Sequence, residues 1–578
     1  MLHKTRLFLG RLLIREKALK WIFGIIGKAK WLTCMILILQ VISSGIGIGM
    51  TWFFKQMIDG AVAGNRQVFQ TYTWYLIGVI VSWAIVGASN RYLKEYGKGT
   101  VENKLKGRLF SNVLEKEYAS VTYLHSGEWM SRMTTDTQLV AEGIVTIIPD
   151  VAGMLIKLIG AIVMMLILLP DISFLVVGCG IVACLLTFLL KKKIKELHKR
   201  QRESDGTVRV YMLDRLTNLL IVHSFAKEKS IKDESGLQMK EYLAIRMKKS
   251  NFSNLCNTGF SVLMNSAYIG GGIYCGYQIL NHNMTYGTLF AVVQLVGQIQ
   301  SPFANISGYL PKYYAMIASA ERLMESEEWK TVYDETVLSD DEINEFYSNH
   351  FHSIRLKNAS FSYKNQGIKV MENVDMEIAK GEYLAITGTS GCGKSTMLKL
   401  MMNLYPLDEG ECVLVTNEGE AAMTAVYRSM FAYVPQGNQL MQGRIREIVA
   451  FSDEKKMEDT SGIIKALEIA CAKEFVLNLK EGIDTMLGEG GRGLSEGQMQ
   501  RIAIARAVYS GNPILLFDEA TSSLDEMTEK KVLGNIRNMT NKTVVIVTHR
   551  MSVLEICDRE VNMSPEGIRV SQLPKIGK

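Results

Sequence analysis

Gly388-Thr389-Ser390-Gly391-Cys392-Gly393-Lys394-Ser395-Thr396 decides how this chain is read. The stretch has the form G-x-x-x-x-G-K-S, a loop whose glycines let backbone N–H groups turn toward phosphate oxygens. Its setting matters as much as its letters. Tyr383–Thr387 before it is a short apolar strand, and Ser395–Asn403 after it has helical spacing. Strand, loop and helix in that order predict an α/β domain with the loop at the end of a strand. The helix N-terminus adds the positive end of its dipole. Lys394 is placed to reach the β- and γ-phosphates of a nucleoside triphosphate, and the Ser395 hydroxyl to bind Mg2+.

Further along, Ile514–Phe517 is fully apolar, as a buried parallel strand should be, and it ends in Asp518-Glu519. Asp518 is placed to hold Mg2+ directly or through water, and Glu519 to orient and deprotonate an attacking water. A second apolar strand, Val544–Val547, leads to His549. An acidic turn and a lone histidine are ordinarily structural. With the phosphate loop upstream, the chemical reading is favoured, with His549 contacting the γ-phosphate from the same end of the sheet.

The rest of the chain is unlike this part. At 578 residues the protein is too long for one ordinary core. A mean hydropathy of +0.10 hides two halves. Residues 1–310 hold long apolar runs, whereas 351–578 have the mixed composition of an α/β domain. The net charge of +7 suggests nucleic acid at first sight. Its Lys and Arg lie beside apolar segments, as at Lys191-Lys192-Lys193, which is the positive-inside pattern, so no nucleic-acid partner is expected. Nine scattered cysteines, without a C-x-x-C pair, argue against a disulfide framework or a zinc site. Cys392 within the phosphate loop places that half in a reducing, cytosolic setting. The basic leader (Lys4, Arg6, Arg11, Arg15, Lys17, Lys20) predicts an amphipathic segment over 1–30 lying on the inner membrane surface, without a cleaved signal peptide.

Six segments have the roughly 20 apolar residues needed to cross a bilayer. They are Trp31–Phe54, Tyr72–Tyr92, Ile144–Leu169, Ile172–Leu190, Phe260–Leu280 and Gly287–Leu310. Basic residues flank one side: the leader, the loop with Arg91, Lys94, Lys98, Lys104, Lys106 and Arg108, and the loop Lys191–Arg202. The turns on the other side are short and nearly uncharged. This predicts a multi-pass protein of the cell membrane with its N-terminus and nucleotide domain cytoplasmic. Residues 93–143 and 191–255 lack proline and keep helical spacing, so they read as membrane helices continuing into the cytosol. Such helices could carry force to a cytoplasmic domain, or act only as spacers.

Lys157 is a full charge within the apolar run Val151–Leu169. It either lines a cavity and favours an anionic substrate group, or snorkels to the inner leaflet. Gln294 and Gln298 share a face of the last segment, where they line a pathway or bond between helices.

Together these residues resemble an ATP-binding cassette (ABC) exporter half-transporter, over nearly the whole chain. The most specific motif is Leu494-Ser495-Glu496-Gly497-Gln498, followed by Gln500-Arg501-Ile502-Ala503-Ile504-Ala505-Arg506-Ala507, which is similar to the family's signature and the helix it opens. The resemblance implies that ATP is held by Gly388, Thr389, Ser390, Gly391, Cys392, Gly393, Lys394, Ser395 and Thr396. It implies that Tyr363 stacks on adenine and that Ser495, Gly497, Gln498 and Asp525 complete the site across a dimer. It makes Gln436 the residue joining Mg2+ and the attacking water to the membrane-domain contact, with Ser395 and Asp518. Leu124–Glu128 through Thr135-Asp136-Thr137 resembles the first coupling loop, and Asp214–Phe225 the second. The implied partner is a second copy or a homologous half-transporter, in contact with membrane lipids.

Two departures stand out. Glu496 occupies a position where glycine is usual, and the loop Thr485–Gly491 matches the family only loosely. The N-terminal cysteine peptidase that some peptide exporters carry is not expected before the membrane domain.

The expected fold is therefore an all-α six-helix transmembrane domain (31–320), a linker (321–350) and an α/β P-loop ATPase domain (351–578). The expected function is ATP-driven export of a drug, lipid or small peptide by alternating access. An ATP-gated channel or regulatory membrane ATPase is the alternative, and intact Glu519 and His549 weigh against it. An importer is disfavoured because membrane and ATPase domains are fused in one chain.

Overall fold

The computed structural model describes residues 16–573 except 26, 28, 125, 330, 332–337, 364–368, 438–439, 452, 489–490, 492 and 565–566. The basic leader as far as Arg15 therefore lies outside the described residues, as do His125, Glu489 and Gly490; residues 16–25 are helical. The chain divides into two units: Met1–Phe110 with Ser126–Glu327, and Ser111–His125 with Glu328–Lys578.

The first unit is helical. Its elements are α1 (Ala29–Val62), α2 (Arg66–Glu115), α4 (Ser126–Leu168), α5 (Pro170–Thr217), α6 (Leu219–Ser224), α7 (Glu228–Leu280) and α8 (Tyr286–Glu327); α3 (Tyr118–Val121) belongs to the second unit. Each of the six apolar segments falls within one long helix, except that Leu169 lies just past the end of its own. Among the described residues, three helices (Lys30–Val62, Arg66–Glu115 and Ser126–Leu168) are long and apolar enough to cross a membrane. The fourth segment, Ile172–Leu190, lies in α5, most of whose side chains there are outside the description. Helix α2 has 50 residues. At 1.5 Å per residue that is about 75 Å, more than twice a hydrocarbon core of about 30 Å. The expected extension beyond the membrane follows from that length alone, and α5 and α7 share it with 48 and 53 residues.

Small residues set the helix packing. A Cβ on Gly153 would meet Gln40 Cγ at 2.1 Å, and one on Gly160 would meet Ile48 Cδ1 at 2.2 Å, so α4 approaches α1 closely at both. Polar side chains in this apolar setting bond between helices. Ser44 Oγ donates to Gly153 O at 3.0 Å, and Asn90 Nδ2 donates to Gln40 Oε1 at 2.6 Å. Helix α4 contains π-type turns at Arg132–Asp136 and Gly143–Ile147. At the first, buried Asp136 accepts from Ser319 Oγ and Arg322 Nε of α8, both at 2.8 Å.

The second unit carries two main sheets. One is antiparallel, ordered β2 (Lys369–Ala379), β1 (Phe351–Ser362), β4 (Glu409–Thr416), β5 (Gly419–Ala422). The other is ordered β12 (Gly567–Gln572), β11 (Arg559–Ser564), β3 (Tyr383–Gly388), β10 (Thr543–Val547), β9 (Ile514–Asp518), β6 (Phe431–Val434). Its strands from β11 to β6 run parallel, and every residue of β9 and β10 is buried. Val547 pairs with Asp518, so these two strands end level. The loops after β3, β10, β9 and β6 thus emerge side by side at one sheet edge, where ligands of open α/β sheets bind.

Two expectations change. The segment read as linker contains a helix, α9 (Asp340–Asn349), which begins at a capping box in which Ser339 and Glu342 satisfy each other's backbone groups. Its acidic face is exposed, but Ile343 and Tyr347, four residues apart, are buried in the core under β1. The Tyr347 hydroxyl lies 2.7 Å from Thr543 Oγ1. The segment that resembles the first coupling loop is also divided between the units. Ser111–His125, with α3, belongs to the nucleotide unit, while Ser126–Thr137 belongs to the helical one. The Tyr118 ring stands edge-on to Tyr405 with centroids 5.6 Å apart, and Thr122 Oγ1 lies 3.2 Å from the Tyr405 hydroxyl. A tyrosine edge and one hydroxyl make this contact, so helical periodicity gave no sign of it.

Candidate active site

The phosphate loop runs from the end of β3 into α10 (Lys394–Met401). Two of its glycines are sterically required. Gly388 has φ 135°, and a Cβ there would meet Met563 O at 2.1 Å. Gly393 has φ 96°, and a Cβ would meet Val370 Cγ1 at 2.9 Å. Lys394 is 5 % exposed, and its Nζ donates to the carbonyls of Gly388 and Thr389, each at 2.9 Å. The loop thus curls round its own lysine, which holds the ammonium at its centre. Cys392 is half-buried, with its thiol against the Gly388 backbone.

From β9 comes Asp518, 2 % exposed, with both carboxylate oxygens bonded. Ser395 Oγ donates to Oδ1 at 2.8 Å, and the Tyr433 hydroxyl donates to Oδ2 at 2.9 Å. Burial, then the Asp518 charge, push the Tyr433 phenol well above its ordinary pKa, so it remains a donor at any working pH. Among the described residues no group of three or more His, Cys, Asp or Glu side chains is arranged for a metal. The Ser395–Asp518 pair instead supplies hard oxygens that fit Mg2+, which takes the rest of its shell from water and phosphate.

Glu519 follows in a left-handed conformation, φ 51°, costly for a residue with a Cβ and typical of functional turns. Its N–H donates to Val547 O at 3.0 Å, which anchors it to the neighbouring strand. Gln436 Nε2 donates to Glu519 Oε2 at 2.9 Å, and His549 Nε2 lies 3.4 Å from Oε1. One carboxylate is therefore held between an amide from the β6 loop and an imidazole from the β10 loop. Tyr363 lies with its hydroxyl 3.0 Å from Thr396 Oγ1, its ring edge-on to Phe361 and Tyr405 at 4.9 and 5.5 Å.

The signature residues open helix α11 (Glu496–Tyr509). Ser495 is its N-cap and forms a capping box with Gln498: Gln498 N donates to Ser495 Oγ at 3.3 Å, and Ser495 N to Gln498 Oε1 at 2.9 Å. Gly497 answers a steric demand, because a Cβ there would stand 2.8 Å from Ser523 O. Asp525 caps the next helix, α12 (Glu526–Arg537), accepting from Thr528 N at 2.9 Å. That backbone hydrogen bond lowers its pKa.

The structure thus brings Ser395, Asp518, Glu519, Gln436 and His549 together through direct contacts. The candidate substrate residues lie in the other unit. Lys157 is half-buried in α4, without a hydrogen-bonding or ionic partner among the described residues. Gln298 Nε2 donates to Gly47 O at 3.1 Å and Thr51 Oγ1 at 3.0 Å, bonding α8 to α1; Gln294 is half-buried one turn earlier. Three residues that sequence reasoning passed over are built into the nucleotide unit: Tyr433, Gln500 and Arg550. Tyr433 had a faint signal, three positions before Gln436. The other two are polar residues whose partners lie in distant segments, the Ser522 hydroxyl and Ser523 N–H for Gln500, two carbonyls and the Glu529 carboxylate for Arg550, which no local pattern announces.

Known proteins share the order of the two parts of the chain. The family model for the ABC transporter transmembrane region matches residues 33–303, and that for the ABC transporter matches 371–522. A putative export ATP-binding/permease protein of Rickettsia bellii is 26% identical over 514 residues, 87% of either chain. An ATP-dependent lipid A-core flippase of Photobacterium profundum is 24% identical over 88% of this chain and 87% of its own. A leukotoxin export ATP-binding protein of Aggregatibacter actinomycetemcomitans is 25% identical over 88% of this chain and 71% of its own. The solved structure of a bacterial Atm1-family ABC exporter with ATP bound has the same fold, with a TM-score of 0.76, 20% identity and 94% coverage of both chains.

Proposed function

The chain belongs to the ABC transporter family and is an exporter that couples ATP hydrolysis to transport, and from that premise we propose how its residues act and what it carries. Its half-transporter architecture implies dimerisation. We assign the hydrolytic base to Glu519. The single observation that carries this is the Glu519 carboxylate held between Gln436 and His549, one residue beyond the Ser395–Asp518 pair.

Lys394 and the N–H groups of the loop neutralise the β- and γ-phosphates. Glu519 takes the proton of the attacking water, which Gln436 orients from the other side. His549 donates toward the γ-phosphate, where charge builds as the bond breaks. Tyr363 stacks on the adenine. Mg2+, held by Ser395, Asp518 and Gln436, would neutralise charge on the phosphate oxygens. Ser495, Gly497, Gln498 and Asp525 complete the partner chain's site, and nucleotide closure turns the membrane helices outward. The partner is a second copy or a homologous half-transporter, and the nucleotide unit faces the cytoplasm.

The cargo is a hydrophobic or amphipathic molecule: a drug, a lipid or a small peptide. Half-buried Lys157, without a partner among the described residues, supports an anionic group on it, and Gln294 and Gln298 of the last helix are the further candidate contacts. The flippase and toxin-export names of the relatives fit this class and do not choose within it. ATPase stimulation in lipid by a panel of drugs, lipids and peptides tests the assignment. One class should raise hydrolysis several-fold in the wild type. Stimulation by none of the three would overturn the proposed cargo.

A further inference from the structure

The loop that follows Glu519 is held from two sides by side chains with no assigned role. On one side is Gln500 of helix α11, 3 % exposed. Its Nε2 donates to Ser522 Oγ at 3.1 Å, and its Oε1 accepts from Ser523 N at 3.0 Å. On the other side is Arg550, next to His549. Its Nη2 donates to Ser522 O at 2.6 Å and its Nη1 to Leu524 O at 2.9 Å. The Arg550 N–H in turn donates to Thr548 Oγ1 at 3.0 Å, which fixes the turn carrying the histidine.

The guanidinium has a buried anchor. Glu529 of helix α12 is 1 % exposed, and its Oε2 lies 3.2 Å from Arg550 Nη1 and accepts from Ser552 Oγ at 2.7 Å. Its other oxygen has no partner among the described residues, so its charge is balanced chiefly by Arg550. A carboxylate buried in this way holds its cation in one place, and the planar fork then spans two carbonyls that an ammonium could not bridge.

These contacts join three structures. The β10 loop supplies His549, the β9 loop supplies Glu519 and continues to Asp525, and helix α11 begins at Ser495. We propose that Arg550, anchored by Glu529 and opposed by Gln500, is a positioning residue that fixes His549 relative to Glu519 and sets the course of the Ser522–Asp525 loop. Without the fork, the two loops keep the strand pairing beneath them and the Glu519 N–H bond to Val547 O but lose their side-chain clamp, and the 3.4 Å approach of His549 to Glu519 loosens. Misplacement of a catalytic group by about 1 Å costs on the order of a hundredfold in rate. The inference rests on Glu519 and His549 acting on ATP.

The test uses the full chain reconstituted in lipid, with three variants. Glu529→Gln removes the buried charge but leaves Arg550 on its two carbonyls. Glu529→Gln with Arg550→Met removes the fork without stranding a charge. Arg550→Lys keeps the charge and loses the fork. Each is measured for kcat, for KM with ATP and for its thermal unfolding midpoint. The single Glu529→Gln variant should keep kcat within about threefold, and the double variant should lose roughly ten- to a hundredfold in kcat with KM nearly unchanged. Arg550→Lys should fall between them.

A purely structural role would lower the midpoint and leave kcat of the folded protein alone. The proposal is overturned if the double variant keeps kcat within threefold of Glu529→Gln, or if its loss lies wholly in KM. Should the double variant fail to fold, Arg550→Lys decides on the same criteria. Glu519→Gln, measured beside them, separates the two claims. Full activity there would remove the base assignment and leave the Arg550 comparison to be judged by itself.

Discussion

Replacing Tyr433 by Phe removes one oxygen and nothing else. The ring keeps its place on β6, packed against the core under the phosphate loop's sheet, so no cavity forms. What is lost is the hydrogen bond at 2.9 Å to Asp518 Oδ2. The carboxylate is 2 % exposed, and no other donor to that oxygen is present among the described residues. A hydrogen bond to a charged group contributes about 1.5–3 kcal/mol, and leaving a buried acceptor unsatisfied costs about 1–3 kcal/mol.

Taking about 2 kcal/mol, the change is worth roughly a thirtyfold factor at 1.4 kcal/mol per decade. It is divided between folding stability and hydrolysis according to whether Asp518 finds another donor as nucleotide binds. Steady-state ATPase measurements in lipid nanodiscs, with thermal unfolding of the same preparations, read both shares. The expected result is a fall in kcat of about tenfold or more, a lowered unfolding midpoint, or the two together. If Tyr433→Phe changed kcat by less than twofold and left the midpoint in place, the claim that Tyr433 holds Asp518 would be refuted.

Other consequences follow from named contacts. Gly497→Ala places a methyl 2.8 Å from Ser523 O. It should cost about 1–3 kcal/mol of stability or displace that loop, and so lower ATPase activity, read by calorimetry and turnover. Thiol alkylation should modify Cys392 in the phosphate loop with loss of hydrolysis, and MgATP should protect it. Cys557, 5 % exposed and with its thiol pushed up to about 12 by burial, should stay unmodified in the same digest. Lys157→Met should reduce transport of anionic substrates while basal ATPase activity stays within about twofold; unchanged anion transport would remove Lys157 from the pathway.

Much of this was legible in the chain because its chemistry is local. The phosphate loop, the apolar strands ending at Asp518-Glu519 and at His549, and the six apolar runs each declare themselves within about twenty residues. What escaped reading depends on distant partners. Ile343 and Tyr347 are two apolar residues on an acidic helix, and only the fold shows that β1 and Thr543 cover them. The Ser339–Glu342 capping box was a readable start signal, masked by the acidity around it. Tyr118 finds Tyr405 across nearly three hundred residues of chain. Gly497, taken as a phosphate contact, is constrained within its own chain by Ser523 O. Gln500 and Arg550 find their partners, backbone groups among them, more than twenty residues away, at positions no local side-chain pattern encodes.

With Glu519 gripped by Gln436 and His549 as the proposed base, its loss should stop the ATP hydrolysis that powers export. The most direct measurement is single-turnover ATP cleavage by the reconstituted protein, wild type against Glu519→Gln, with nucleotide binding followed in parallel. The account predicts that the variant binds ATP as well as the wild type and cleaves it at least a hundredfold more slowly, a size expected for loss of a general base. Cleavage by Glu519→Gln at the wild-type rate would contradict it.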